Sequence, residues 1–107
     1  MRNQMHIVNI YLPRVNNAGI EFNEEIYLSI RTELIQKFGG LTQYDQVPAI
    51  GYWKENADKS INKDIVIHYE VICNKLVKKF WAEFRLRLEN TFQQKQILIV
   101  AHPIEII

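Results

Sequence analysis

The apolar residues of this chain recur at two different spacings, and this change of pattern most restricts its fold. In two segments they recur every three or four residues, which is the period of an amphipathic helix. In four short segments they are dense or alternate with polar residues, which is typical of strands. The predicted strands span residues 7–12, 49–55, 64–72 and 97–101, and the predicted helices begin near Asn23 and Asn74. The predicted order is therefore β-α-β-β-α-β.

The ends of several elements follow from local chemistry. The side-chain oxygen of Asn23 can accept a hydrogen bond from the free N–H groups of a first helical turn. Gly39 should end that helix, because glycine readily takes the left-handed conformation found there. Pro48 cannot donate to a strand ladder, so the second strand should be short and lie at a sheet edge. Pro13 and Pro103 are expected to end the first and fourth strands.

This order of elements predicts an α+β fold. Two helices and four strands bury their apolar sides when both helices pack on one face of a four-stranded antiparallel sheet. The result is a ferredoxin-like βαββαβ two-layer sandwich with strand order 4-1-3-2. The 107 residues are the common size of one domain, so residues 1–107 are expected to form a single ferredoxin-like domain. The second sheet face stays uncovered, and a functional site is expected there.

Composition restricts the compartment and the partners. The formal net charge is +1, so no global field favours nucleic acid or an anionic membrane. Cys73 is the only cysteine, which excludes an intrachain disulfide. No apolar run is long enough to cross a bilayer, and the N-terminal segment lacks the apolar core of a signal peptide. We therefore expect a cytoplasmic protein without membrane contact. No cofactor motif is present, so no cofactor is expected.

Strand alternation predicts which side chains line the uncovered face. In the third strand, the odd-numbered residues from Ile65 to Val71 are the more apolar set and should face the helices. The even-numbered residues there, and the odd-numbered residues of the first strand, should point away. The second strand should add an aromatic wall. The predicted open-face pocket consists of Asn9, Tyr11, Tyr52, Trp53, His68 and Glu70.

Three functions fit this face and its surroundings. The first is a homodimeric binding or interaction module whose open faces pack together or enclose a small-molecule ligand. The second is a small dimeric α/β-barrel enzyme of isomerase or monooxygenase type, because His68 beside Glu70 suits general acid–base catalysis. The third is a nucleic-acid-binding module that uses the basic face of the second helix, since residues 74–95 carry a local net charge of +4. Such a run is usually a solvated helix face, so nucleic acid is the less expected partner.

Two histidines and the cysteine lie at strand ends. His6 and His102 belong to strands predicted to be antiparallel neighbours, so their imidazoles should approach each other. Two histidines without a third ligand make a weak zinc site, and no metal is expected. Cys73 lies where the third strand meets the second helix, and a helix N-terminus can activate a thiol. No partner for a nucleophile accompanies it, so a buried, unreactive thiol is favoured.

Several segments carry a family resemblance. They are Phe38-Gly39-Gly40-Leu41-Thr42, Gly51-Tyr52-Trp53-Lys54, a strand ending in Glu70-Val71, and a helix with Phe80-Trp81, Phe84-Arg85, Leu88-Glu89 and Phe92-Gln93-Gln94. Across residues 26–105 the chain resembles small uncharacterised bacterial proteins of ferredoxin-like or dimeric α/β-barrel type. The resemblance implies this fold and transfers no catalytic residue. Trp53 and Glu70 lie in the parts that look most alike.

Overall fold

The computed structural model of the chain describes residues 4–54 and 61–107. It describes no side chain at residue 4, at residues 45–54 or at residues 61–65. The elements are β1 (Gln4–Pro13), α1 (Glu24–Phe38), β2 (Thr42–Lys54), β3 (Ile61–Cys73), α2 (Lys78–Thr91) and β4 (Leu98–Glu105). Their order is the one that the sequence predicts.

The four strands form one antiparallel sheet in the order β2-β3-β1-β4. The central strands are β1 and β3, while β2 and β4 lie at the edges. This confirms the α+β class and the predicted strand order, and it is consistent with a ferredoxin-like fold. None of the described helices is long and apolar enough to cross a membrane.

Both helices pack against one face of the sheet. The buried side chains of β3 are Ile67, Tyr69 and Val71, so the predicted alternation is confirmed over these residues. They form one cluster with the even-numbered residues of β1 and with the inner sides of both helices. The other members from these elements are Val8, Ile10, Leu12, Tyr27, Ile30, Leu34, Trp81, Phe84 and Leu88. Burial of this cluster is the main force that holds the helices on the sheet.

The two ends of α1 are formed by the residues that the sequence marks. The side-chain oxygen of Asn23 accepts from the backbone N–H of Glu25 at 2.9 Å. Gly39 has a φ of 86°, and its N–H donates to the carbonyl of Ile35 at 2.7 Å. Both predicted ends are confirmed, because each depends on chemistry within a few residues.

The second strand is longer than predicted. It begins at Thr42, whereas the sequence placed it at residues 49–55. Its pairing with β3 shifts register between Tyr44 and Ala49, and Pro48 lies within this irregularity. A break in the ladder of an edge strand accommodates a residue that has no N–H to donate. The proline therefore interrupts the pairing without ending the strand.

The other corrections concern α2 and β4. The helix begins at Lys78, four residues beyond Asn74, and Val77 is its extended N-cap residue. Leu76 precedes the helix and packs half-buried on the core. The fourth strand continues through Pro103 to Glu105 instead of ending at the proline. An edge position tolerates proline because only one side of the strand needs a complete ladder.

Candidate functional site

Three rings from three neighbouring strands stack in a row on the face that the helices leave uncovered. Tyr11 of β1 and Tyr44 of β2 both pair in register with His68 of β3. The ring centroids of Tyr11 and His68 are 4.6 Å apart, and the two planes are inclined by 18°. Those of Tyr44 and His68 are 4.9 Å apart, with an angle of 25°. We call these three residues the aromatic row. The imidazole is held between two phenol rings, which fixes its plane.

Two polar side chains lie two residues along β1 and β3 from the aromatic row, on the same face of the sheet. The Nε2 atom of His68 is 2.7 Å from the Oδ1 atom of Asn9, which is only 8% exposed. An amide oxygen only accepts, so Nε2 carries the hydrogen and Nδ1 is the basic atom of the neutral ring. Asn9 pairs in register with Glu70, whose Oε2 accepts a long hydrogen bond of 3.5 Å from the Tyr44 hydroxyl.

The environment of His68 favours the neutral form of its imidazole. Burial lowers its pKa below the ordinary 6.5, because a charged ring between two phenols would lose solvation, and the Glu70 carboxylate opposes this shift. Burial is the larger effect, so the lowering prevails. A neutral imidazole with a free Nδ1 can accept a proton from a bound molecule.

Among the side chains that the structure describes, the surroundings of the aromatic row are apolar apart from the Glu70 carboxylate. By register and alternation, the described strand residues of this face include Glu70 but no lysine or arginine. Its large apolar side chains are well exposed: Ile72 by 42%, Leu98 by 52% and Val100 by 41%. This part of the face therefore suits an apolar or cationic partner better than an anion.

The structure brings together four of the six predicted pocket residues: Asn9, Tyr11, His68 and Glu70. Tyr52 and Trp53 belong to β2, where they pair in register with Lys63 and Asn62, respectively. The side chains of Tyr52 and Trp53 lie outside the described residues.

Tyr44 is the site residue that sequence reasoning missed. The signal for it was present, because Thr42 and Tyr44 are residue types that favour strands and they follow directly after the glycines that end α1. Assigning the strand only after Pro48 left this tyrosine in a loop. The described aromatic neighbour of His68 on β2 is thus Tyr44.

The predicted approach of His6 and His102 is wrong. His6 pairs with Pro103 and His102 pairs with Ile7, so the two histidines are one position out of step and point to opposite faces. Among the side chains that the structure describes, no group of three or more metal-ligating residues occurs.

Cys73 is 5% exposed, and burial raises the pKa of its thiol. It ends β3, five positions before the first residue of α2. A helix N-terminus at that separation does not activate the thiol, because such an effect fades within one turn.

The arginines of α2 are paired with carboxylates. Both terminal nitrogens of Arg87 donate to Glu33 of α1, at 3.2 and 2.6 Å. Arg85 lies 3.8 Å from Glu89 on the same helix. These pairs reduce the free positive charge that the nucleic-acid hypothesis needs.

The comparisons with known proteins show the fold alone. No family model matches the chain, and a search of curated proteins finds no match. Among solved structures, the chain is similar to a phage SAM lyase in complex with S-methyl-5'-thioadenosine, with a TM-score of 0.61. The similarity covers 95% of this chain and 88% of the lyase, at 12% sequence identity.

Proposed function

We propose that the uncovered sheet face binds a small molecule that combines a flat apolar group with a positive charge. The observation that carries this proposal is the aromatic row beside the Glu70 carboxylate, on a face whose described strand residues include no lysine or arginine. Tyrosine rings and a carboxylate both attract a cation, and the apolar surroundings favour a flat partner. An anion would meet the carboxylate without a compensating charge.

The structural neighbour suggests the first compounds to test. SAM carries an adenine ring and a positively charged sulfonium, which are the two chemical features that this face would recognise. S-methyl-5'-thioadenosine, which that lyase structure contains, keeps the adenine but has a neutral thioether. SAM also carries an amino acid chain that S-methyl-5'-thioadenosine lacks, so a difference between the two compounds measures the sulfonium and this chain together, and the Glu70→Gln variant is needed to identify the part due to charge.

Calorimetric titration with both compounds tests the proposal. We expect SAM to bind about 5- to 30-fold more tightly, since a desolvated cation near aromatic rings gains about 1–2 kcal/mol. Glu70→Gln should remove most of this preference, because it keeps the size of the side chain and removes its charge. Tyr44→Ala should weaken both compounds. Glu83→Gln, at an exposed site on α2, is the matched control and should change neither affinity.

Two outcomes would contradict the binding proposal. One is the absence of binding by either compound at millimolar concentration. The other is an unchanged preference for SAM in Glu70→Gln.

A second candidate function is a lyase acting on a sulfonium compound, and the observation that favours it is His68 beside Glu70, because burial favours its neutral ring and Nδ1 is the basic atom of that ring. When a carbon–sulfur bond of a sulfonium breaks, the sulfur keeps the electron pair and becomes a neutral thioether. In an elimination, the carbon next to the departing one loses a proton and its C–H electron pair forms a carbon–carbon double bond; Nδ1 of His68 would be the base that accepts this proton. The isomerase and monooxygenase types stay predictions that nothing in the geometry favours over this one.

Chromatography of SAM incubated with the protein tests this activity. We expect S-methyl-5'-thioadenosine to form, and His68→Gln to slow its formation by about 100-fold, the usual contribution of a general base. His102→Gln is the matched control, since it changes an exposed histidine on β4. Formation no faster than in buffer would exclude the lyase and leave the binding proposal intact.

A further inference from the structure

One edge of the sheet is apolar along residues 98–101, with one proline, Pro103, further along the same strand. The fourth strand pairs with β1 on one side only, because it ends the sheet order. Its first four residues, 98–101, carry no charge, and Leu98 and Val100 are 52% and 41% exposed. Natural edge strands usually carry charges or are covered, because their free N–H and C=O groups pair readily with another strand.

A groove runs along the helix side of this strand. Its apolar lining comes from β1, α2, β4 and the segment before α2, and two cations, Lys78 and Arg85, stand among these residues. Ile99 is only half-buried and Ala101 is exposed, although both point toward the helices. The helical layer therefore leaves β4 partly uncovered. A segment that fills this groove should be apolar and should carry a negative charge that can pair with Lys78 or Arg85.

The fourth strand itself has this composition. In an antiparallel pair, residues directly opposite each other point to the same face. If two copies of β4 pair about a two-fold axis at His102, Val100 lies opposite Ile104 and Leu98 opposite Ile106 on the uncovered face. On the helix side, Ala101 then lies opposite Pro103 and Ile99 opposite Glu105.

We propose that two copies of this chain associate by pairing their β4 strands edge to edge, with Glu105 of each copy entering the groove of the other beside Arg85 and Lys78. Ile99 lines the groove together with both cations, so a carboxylate placed opposite Ile99 lies next to them. Arg85 is paired with Glu89, but this ion pair is long, at 3.8 Å, and the arginine side chain is 48% exposed, so Arg85 can exchange Glu89 for Glu105 of the other copy. The two-fold axis makes every contact occur twice.

This association is independent of the proposed ligand. It joins two four-stranded sheets into a continuous one. The aromatic row extends from β1 to β2, the edge strand opposite β4, so it stays accessible in both copies. Sequence reasoning expected a homodimer whose open faces pack together or enclose a small ligand. Edge pairing is a different arrangement, and the two are distinguished by the variants below.

Sedimentation velocity on charge-swap variants tests the proposal. We expect the full chain to form dimers at tens of micromolar. Arg85→Glu and Glu105→Arg should each weaken association by about tenfold, because each places like charges together. The double variant should restore the dissociation constant to within about threefold of the original, since the pair is then re-formed with its signs exchanged.

Circular dichroism shows whether a charge reversal disturbs folding. If it does, a second pair of variants still tests the proposal. Val100→Lys puts a charge in the middle of the edge and should abolish the dimer. Leu86→Lys makes the same chemical change at a 58% exposed position on α2 outside the groove, and should leave it intact. A chain that stays monomeric at high micromolar concentration would overturn the proposal. So would a double variant that fails to restore association, or a dimer lost in Tyr44→Ala but kept in Val100→Lys.

Discussion

Two opposing effects determine the protonation of the His68 imidazole. The rings of Tyr11 and Tyr44 remove water from its imidazole, whereas the Glu70 carboxylate would stabilise its charged form. Desolvation is the stronger influence, so folding favours the neutral ring. This ties the proton affinity of the residue to the packing of the aromatic row.

The lowered pKa of His68 predicts a loss of stability in mild acid. Below the ordinary value of 6.5 the unfolded chain binds a proton that the folded chain resists, so the free energy of unfolding should fall with pH until the folded pKa is reached. Above 6.5 the neutral ring is common to both states and this contribution is constant. His68→Gln should reduce the fall between about pH 7 and pH 5, because glutamine does not titrate.

Urea unfolding at a series of pH values measures this effect. His102→Gln provides the control, since that histidine is exposed on β4 and lies outside the aromatic row. Each variant is compared with the unaltered chain at low protein concentration, so that association does not contribute. A pH profile of His68→Gln that runs parallel to that of the unaltered chain would contradict the assignment.

At the level of elements, the sequence predicts what depends on nearby residues. The ends of α1 follow from Asn23 and Gly39, whose conformations are set within a single turn. The start of α2 was misplaced because Asn74 suits an N-cap, although no side chain caps this helix and its N-cap residue is Val77. Packing of the preceding segment on the core, through Leu76, outweighs the local signal.

The sequence predicted which residues share the face of the candidate site, but not how their side chains pack. Alternation alone placed Asn9, Tyr11, His68 and Glu70 on one face, because a strand has a fixed period of two. It did not supply the stacking of three rings, which depends on the register between β1, β3 and β2. The sequence also does not show that an edge strand can continue past Pro48 through a register shift, so the strand-favouring residues Thr42 and Tyr44 were not assigned to β2.

For the molecule as a whole, one core holds both helices, the sheet and the connection from β1 to α1 together. Phe92 follows α2 and is fully buried, with its ring 4.9 Å from Phe22 and 5.6 Å from Tyr27. Tyr27 is in turn anchored on β1, because its hydroxyl donates to the carbonyl of Pro13 at 2.5 Å. Burial raises the pKa of Tyr27 to about 12, so this donor keeps its proton at physiological pH.

Because Phe92 joins these parts, Phe92→Ala should lower the global free energy of unfolding by about 3–5 kcal/mol, through lost burial and the cavity left behind. The free energy of unfolding of such a domain is about 5–15 kcal/mol in total, so the variant should lose a large share of it. Leu86→Ala, at a 58% exposed site on the same helix, should change stability by no more than about 0.5 kcal/mol. Urea unfolding followed by the fluorescence of the buried Trp81 measures both variants. A loss below about 1 kcal/mol in Phe92→Ala would mean that the two helices are held on the sheet without this ring.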